Sequence, residues 1–284
     1  QTAEYTIGLK AGQTLSVKEL LKAALIRSAN DAAVVLAEHV AGDERFFGHL
    51  MSLKAFCLGA FNTRFINASG LPANQAYSTA YDLAVISRYA LANPYFKSVV
   101  GQPQAQFLHP SYARPLTIYN TNALLESYPG ANGIKTGTTD AAGKCLVGSA
   151  GRFGRQLIAV VLRSADRSRD CARLLDYGFK DMQLCQVVDS KTPFKEIPVD
   201  GGEPDLLEIY PEEDVRIWQG PQEEEVVRIV RMEYFLRAPL RKGTKVGILE
   251  VYTAGKPVAR VNLLTGSDLE KKPCGLVRFW RKFW

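Results

Sequence analysis

Histidine is scarce in this chain, and cysteine is scattered. The three histidines, His39, His49 and His109, include no His-Glu-x-x-His pair, which excludes the usual helix-borne zinc hydrolase arrangement. The five cysteines, Cys57, Cys145, Cys171, Cys185 and Cys274, stand far apart with no Cys-x-x-Cys. Neither a zinc site nor a disulfide framework is expected from them; they read as small buried apolar residues. No metal and no cofactor is expected. No run of about 18 apolar residues is long enough to cross a bilayer as a helix. The opening "QTAEYTIGLKAGQTLS" has no basic segment followed by an apolar run, so it does not read as a secretory leader. Acidic charge is in mild deficit, with 35 Lys and Arg against 29 Asp and Glu and a net charge of +6. That favours anionic surroundings such as a membrane surface or a cell-wall polymer. It is too dispersed to imply nucleic acid, for which no motif is present.

What is present is ordinary globular material. Hydrophobic residues make up 46% and charged residues 23% of 284, enough for a sizeable core, and the length favours two domains. Residues 16 to 40 read as two helices. Ser16 and Glu19 have capping-box spacing before the stripe Leu20, Leu21, Ala24 and Leu25. Asp31 is expected to cap a second helix that ends near Gly42. Between the two lies "RSAND". Further helices are expected from about 43 to 58 and from 79 to 91, the latter stopped by Asn93-Pro94. "KCLVGSA" and "RQLIAVVLRS" then read as strands joined by the turn "GRFG", and 172 to 179 as helix. After about Val187, alternating stretches such as "LLEIY", "DVRIW" and "KVGILEVYT" predict a small all-β domain over 188–266. In the tail, 267–284, Leu276, Phe279, Trp280, Phe283 and Trp284 share one helical face, with Arg278, Arg281 and Lys282 opposite. This is the pattern of an amphipathic anchor lying in a membrane surface.

The run "GIKTGTTDAAG" (133–143) places a cation, hydroxyls and bare backbone in a row, a set suited to an anion or a carbonyl. It is not a phosphate-binding loop, because the glycines of "GTTDAAGKC" are one residue too far apart and Cys145 stands where a hydroxyl is needed. Nor is there a Gly-x-Ser-x-Gly elbow for a Ser-His-Asp hydrolase. The remaining candidate is the penicillin-recognising acyl-transfer group, which combines Ser-x-x-Lys, Ser-x-Asn and Lys-Thr-Gly. Ser28-Ala29-Asn30 and Lys135-Thr136-Gly137 supply the second and third in the right order. Ser28 falls at a junction between helices and Lys135 at the start of an edge strand, where backbone can pair with an extended peptide.

Through "LKAGQTLSVKELLKAALIRSANDAAVVLAEHVAG", "NASGLPANQAYSTAYDLAVIS", "NTNALLESYPGANGIKTGTTDAAGKCLVGSA" and "RLLDYGF", the chain resembles the D-Ala-D-Ala carboxypeptidases, the low-molecular-weight penicillin-binding proteins. The resemblance implies an α/β mixed (α+β) transpeptidase-like domain with an antiparallel sheet over 1–187, then the all-β domain and the anchor. It implies removal of the terminal D-alanine from peptidoglycan stem peptides ending in D-Ala-D-Ala, through an acyl-enzyme. It also implies inhibition by β-lactams and a place at the outer face of the cytoplasmic membrane.

By the same resemblance, Ser28 relays a proton to the leaving D-alanine, and Asn30 hydrogen-bonds the substrate amide. Lys135 holds positive charge for the relay and the terminal carboxylate. The Thr136 and Thr138 hydroxyls bind that carboxylate, Gly137 and Thr138 pair with the peptide, and the Thr138 N–H forms half of the oxyanion hole. Some members carry His where Thr138 stands. Arg169, in "DRSRDCARLL", matches a family arginine near the carboxylate. One element is absent: no serine has a lysine three positions after it. The chain is therefore expected to be an N-terminally truncated member lacking the nucleophile. The alternative is an inactive peptidoglycan-binding or scaffolding homologue. No Glu-x-x-x-Asn stretch lies between Asn30 and Lys135, which argues against a class A β-lactamase.

Overall fold

The computed structural model describes residues 5–221, 225–232 and 236–272. The tail with Leu276, Phe279, Trp280, Phe283 and Trp284 lies outside the described residues, as does Cys274. Contacts divide the chain after Phe179 into two compact units. The expected boundary at 187 falls inside a strand, Gln183–Val188.

In the first unit, Ser16 caps α1 (Val17–Lys22) by accepting from the Glu19 N–H. The helix then widens into a π-helical turn, Ala23–Arg27, and α2 (Asn30–Ala41) ends at Gly42 in a left-handed cap. Asp31 does not cap α2; the cap position is Ala29. The Asp31 carboxylate instead accepts the N–H groups of Ile7, Gly8 and Leu9 at 3.0–3.2 Å, because in the first turn of the helix it faces the incoming chain. Next come α3 (Glu44–Cys57), capped by Asp43, and α4 (Ala80–Leu91), capped by Thr79. Asn93-Pro94 both stops α4 and starts α5 (Pro94–Val100), with Asn93 as cap, since proline's fixed φ suits a first helical turn.

A hairpin of β1 (Gln104–Phe107) and β2 (Leu116–Tyr119) follows, then the short α6 (Leu124–Ser127). β3 (Ala131–Thr139), β4 (Gly143–Arg152) and β5 (Arg155–Val161) form an antiparallel sheet in that order. α7 (Arg167–Asp176) begins five residues earlier than expected and packs on β4 and β5. Gly148 permits that approach, because a Cβ there would meet Cys171 Sγ and Leu124. Two apolar clusters result. One joins Leu20, Ile26, Val99, Phe107 and Ile118 among the helices. The other joins Leu124, Leu146, Ala159, Cys171 and Leu175 between sheet and helix. Of the described cysteines, only Cys171 is buried, with Cys57 exposed and Cys145 and Cys185 part-exposed. The expectation of buried cysteines therefore fails for the other three. They stand on a solvent-facing helix side and on strands near sheet ends.

The second unit is all β. β6 (Gln183–Val188) pairs with β10 (Val215–Gln219), and β8 (Gly202–Glu203) with β14 (Glu270–Lys271). The main sheet is antiparallel in the order β11 (Val226–Met232), β12 (Lys245–Thr253), β13 (Lys256–Thr265), β9 (Leu206–Pro211), β7 (Lys195–Pro198). Alternation along β9 and β12 turns Ile209, Leu249, Val251 and their neighbours into one core, as period-2 patterning requires. The mixed α/β first unit and the β second unit match the fold class read from the sequence.

Candidate active site

Ser28 owes its position to the helix end. The π-turn stops at Ser28, whose backbone is left-handed (φ 66°, ψ 36°), a conformation costing a non-glycine residue about 1 kcal/mol or more. Ala29 N–H returns to Ala23 O at 3.0 Å, and Ala23, Ile26 and Ala29 are buried. The wide turn is pinned by its apolar side, and the serine is aimed off the helix end. Asn30 follows in the first turn of α2, half-buried, with its backbone N–H held by Tyr5 O at 2.8 Å.

Lys135 reaches Ser28 from the other half of the unit. On β3, Ile134 and Thr136 turn inward, so alternation sends Lys135 to the opposite face. Its Nζ donates to Ser28 Oγ at 2.6 Å and to Thr136 O at 2.9 Å. The two residues are separated by 107 positions in sequence. Burial disfavours the ammonium and Arg167 repels it, so the Lys135 pKa falls from 10.5 to about 8. Near neutral pH the group is a cation close to its titration point, able to hold an anion or to exchange a proton with Ser28.

Beyond Lys135, β3 opens to solvent. Gly137 and Thr138 are exposed, and among the described residues only β4 pairs with this strand. A Cβ at Gly137 would meet nothing within 4 Å, so no packing inside the protein demands the glycine there. It leaves bare backbone for something to approach. Arg167, the first residue of α7, closes the far end. Its Nη1 donates to Thr138 Oγ1 at 2.8 Å and to Gly137 O at 3.1 Å.

A three-residue knot between β2 and α6 fastens these parts. Asn120 Nδ2 donates to Gln102 O (2.9 Å), at the end of α5, and Asn122 Nδ2 to Gly133 O (3.0 Å), at the start of β3. Between them, Thr121 donates its backbone N–H to Ile26 O at 3.3 Å and shares a 2.6 Å hydroxyl contact with Thr136.

Ser28, Lys135, Thr136, Gly137 and Thr138 thus converge, with Asn30 one turn away. Arg169 is not brought to the strand. Its side chain is exposed, and its backbone N–H is spent on the Asp166 cap. Sequence reading missed Arg167 and Thr121. For the arginine a signal existed: Asp166 reads as a helix cap, which puts Arg167 in the first helical position, beside the strand end. For Thr121 none existed, because its role depends on two elements that are distant in sequence.

Residues 1–166 match the D-alanyl-D-alanine carboxypeptidase family, and residues 183–271 match the penicillin-binding protein 5 C-terminal domain. D-alanyl-D-alanine carboxypeptidase DacF of Bacillus subtilis is 30% identical over 98% of this chain and 74% of its own length. DacB2 of Mycobacterium tuberculosis is 40% identical over 61% of each. The chain thus spans less than two thirds of DacB2. Among solved structures, penicillin binding protein 5 of Haemophilus influenzae superimposes with a TM-score of 0.66 at 26% identity, covering 95% of this chain and 79% of that one.

Proposed function

The chain belongs to the D-alanyl-D-alanine carboxypeptidase family, and from that premise we propose that its site serves removal of the terminal D-alanine from peptidoglycan stem peptides by the acyl-enzyme route, this chain supplying the carboxylate site and the proton relay but not the Ser-x-x-Lys nucleophile that takes the acyl group. The observation that carries the reading is the 2.6 Å hydrogen bond from Lys135 Nζ to Ser28 Oγ, which joins the two tripeptides at one point. In this reading the peptide lies along β3 at Gly137 and Thr138, as an added strand. Its terminal carboxylate sits against Lys135, the Thr138 hydroxyl and the Arg167 guanidinium, with the buried Thr136 hydroxyl held behind them by Thr121. Arg169, exposed and not brought to the strand, makes no direct contact with the peptide in this reading.

When the scissile amide breaks, the leaving nitrogen needs a proton. Ser28 hands over its own and is resupplied along its bond with Lys135. Asn30 orients the acyl side, and the Thr138 N–H polarises the carbonyl. Nucleophilic attack is not assigned to any residue of this sequence, since no serine has a lysine three positions on. Ser28 is a poor substitute. Its neighbour Lys135 is a cation at neutral pH, and a serine hydroxyl needs a free base beside it. That same observation favours a second reading, an inactive homologue that binds peptidoglycan. In both, β-lactams are ligands, the workplace is the cell envelope, and the tail with Phe279, Trp280, Phe283 and Trp284 holds the protein to the membrane. The domain limits proposed are 1–187, 188–266 and the tail 267–284.

Intact-mass measurement after incubation with a β-lactam tests the assignment of roles. This 284-residue chain should gain no penicilloyl mass, and a stoichiometric gain mapped to Ser28 would overturn it.

A further inference from the structure

Arg27 stands directly before Ser28 and has no part in the site described above. Ile26 and Ala29 are buried, whereas Arg27, Ser28 and Asn30 are half-buried, so the turn hides the two apolar residues and leaves the three polar ones partly open. The Arg27 guanidinium rests on the ring of Tyr5, 5.1 Å from its centroid. That ring is 46% exposed, and the carbonyl of the same Tyr5 holds the Asn30 N–H at 2.8 Å. The cation and its platform therefore stand beside Asn30.

Holding the chain in place does not require this pair. Residues 5–9 are already fixed by that backbone bond and by Asp31, whose carboxylate accepts from Ile7, Gly8 and Leu9. Asp31 is also the acid nearest to Arg27 in sequence. Its oxygens are taken up by those N–H groups and by the Ala32 N–H at 3.0 Å. Among the described residues no carboxylate forms an ion pair with Arg27. A guanidinium resting on a ring keeps its edge of N–H donors, a fork that fits a carboxylate.

Place in the site decides which carboxylate. In the function proposed above, on which this inference rests, the terminal carboxylate of the peptide is held at Lys135, Thr138 and Arg167, and Asn30 takes the acyl side. A carboxylate brought to Arg27 therefore belongs to the acyl part of the peptide. We propose that Arg27, with Tyr5 as its platform, is a specificity-determining residue that reads a carboxylate on the side chain of the residue preceding D-Ala-D-Ala. An amine in the same place meets like charge, so Arg27 discriminates by repulsion as well as by attraction.

Three N-acetyl peptides ending in D-Ala-D-Ala test this. Their first residue is L-2-aminopimelate, the side-chain amide of L-2-aminopimelate, or L-lysine with a free side-chain amine. In calorimetric titration of the 284-residue chain, the acid should bind about fivefold tighter than its amide, and the amine should bind weakest. Arg27→Gln should bring the three within about twofold of one another, and Arg27→Lys should keep part of the preference. Tyr5→Leu should reduce it, because the guanidinium loses its platform. In Arg27→Gln the preference for a free C-terminal carboxylate over a C-terminal amide should stay as in the unaltered chain, since Lys135, Thr138 and Arg167 are untouched. A preference for the acidic side chain that survives Arg27→Gln overturns the proposal, as does equal binding of the three peptides by the unaltered chain. If the C-terminal preference persists in either case, the reading of the site stands and only the role of Arg27 falls. Failure of all three peptides to bind overturns both.

Discussion

The hydroxyl of Thr121 lies 2.6 Å from that of Thr136, while the backbone N–H of the same Thr121 holds Ile26 O. One residue therefore ties the turn that presents Ser28 to the strand that presents Lys135. Thr136 is buried, so its hydroxyl has no ready exchange with water if this contact is lost.

Thr121→Val should accordingly leave a buried hydroxyl unpaired and cost about 1–3 kcal/mol of stability. Thr121→Ser, which keeps the hydroxyl, should recover most of that. Urea unfolding of the three proteins checks it. Equal midpoints for the valine and threonine forms would show that the contact contributes nothing.

The depressed pKa of Lys135 has a consequence for pH. In the folded chain the group releases its proton near pH 8, whereas in the unfolded chain it keeps it to about 10.5. Between those values the unfolded state binds more protons, so this residue's contribution makes stability rise with pH. Below pH 8 its burial as a cation is a penalty on the order of 3 kcal/mol, and above about 10.5 the penalty is gone. Lys135→Met should therefore stabilise the protein most near pH 7 and progressively less toward pH 10.5. Denaturation of both proteins over that range gives the difference directly, and a pH-independent difference would refute the shift.

The two arginines at the start of α7 should separate cleanly. Arg167→Ala removes charge-assisted bonds at the strand end and should weaken binding of a D-Ala-D-Ala peptide about tenfold or more. Arg169→Ala, altering an exposed side chain, should change it by less than about threefold. Removing Arg167 should also raise the Lys135 pKa, because the guanidinium is one cause of its depression. Isothermal titration with diacetyl-L-lysyl-D-alanyl-D-alanine provides the affinities.

Much of this was legible in the order of residues, for reasons that differ from place to place. Ser16, Asp43 and Thr79 cap helices because each cap is a local bond three residues long. β4, β5 and the strands of the second unit follow from period-2 alternation. Lys-Thr-Gly and Ser-x-Asn were visible as strings, but their meeting at 2.6 Å belongs to the tertiary fold. Asp31 misled because capping rules see only the chain that follows a residue, whereas its bonds go to residues 7–9 that precede it. Arg167 and Arg169 are both charged residues at a helix start, and only the path of β3 distinguishes them.

The most direct test of the account is an amide NMR titration of the chain with diacetyl-L-lysyl-D-alanyl-D-alanine, alongside the same peptide bearing a C-terminal amide. If a peptide carboxylate is held by Lys135, Thr138 and Arg167, the free acid should shift Gly137, Thr138 and Ser28 first. The amide should bind at least about tenfold more weakly, and Lys135→Met should erase that preference. Equal affinity for acid and amide, or shifts confined to residues away from β3 and Ser28, would contradict it.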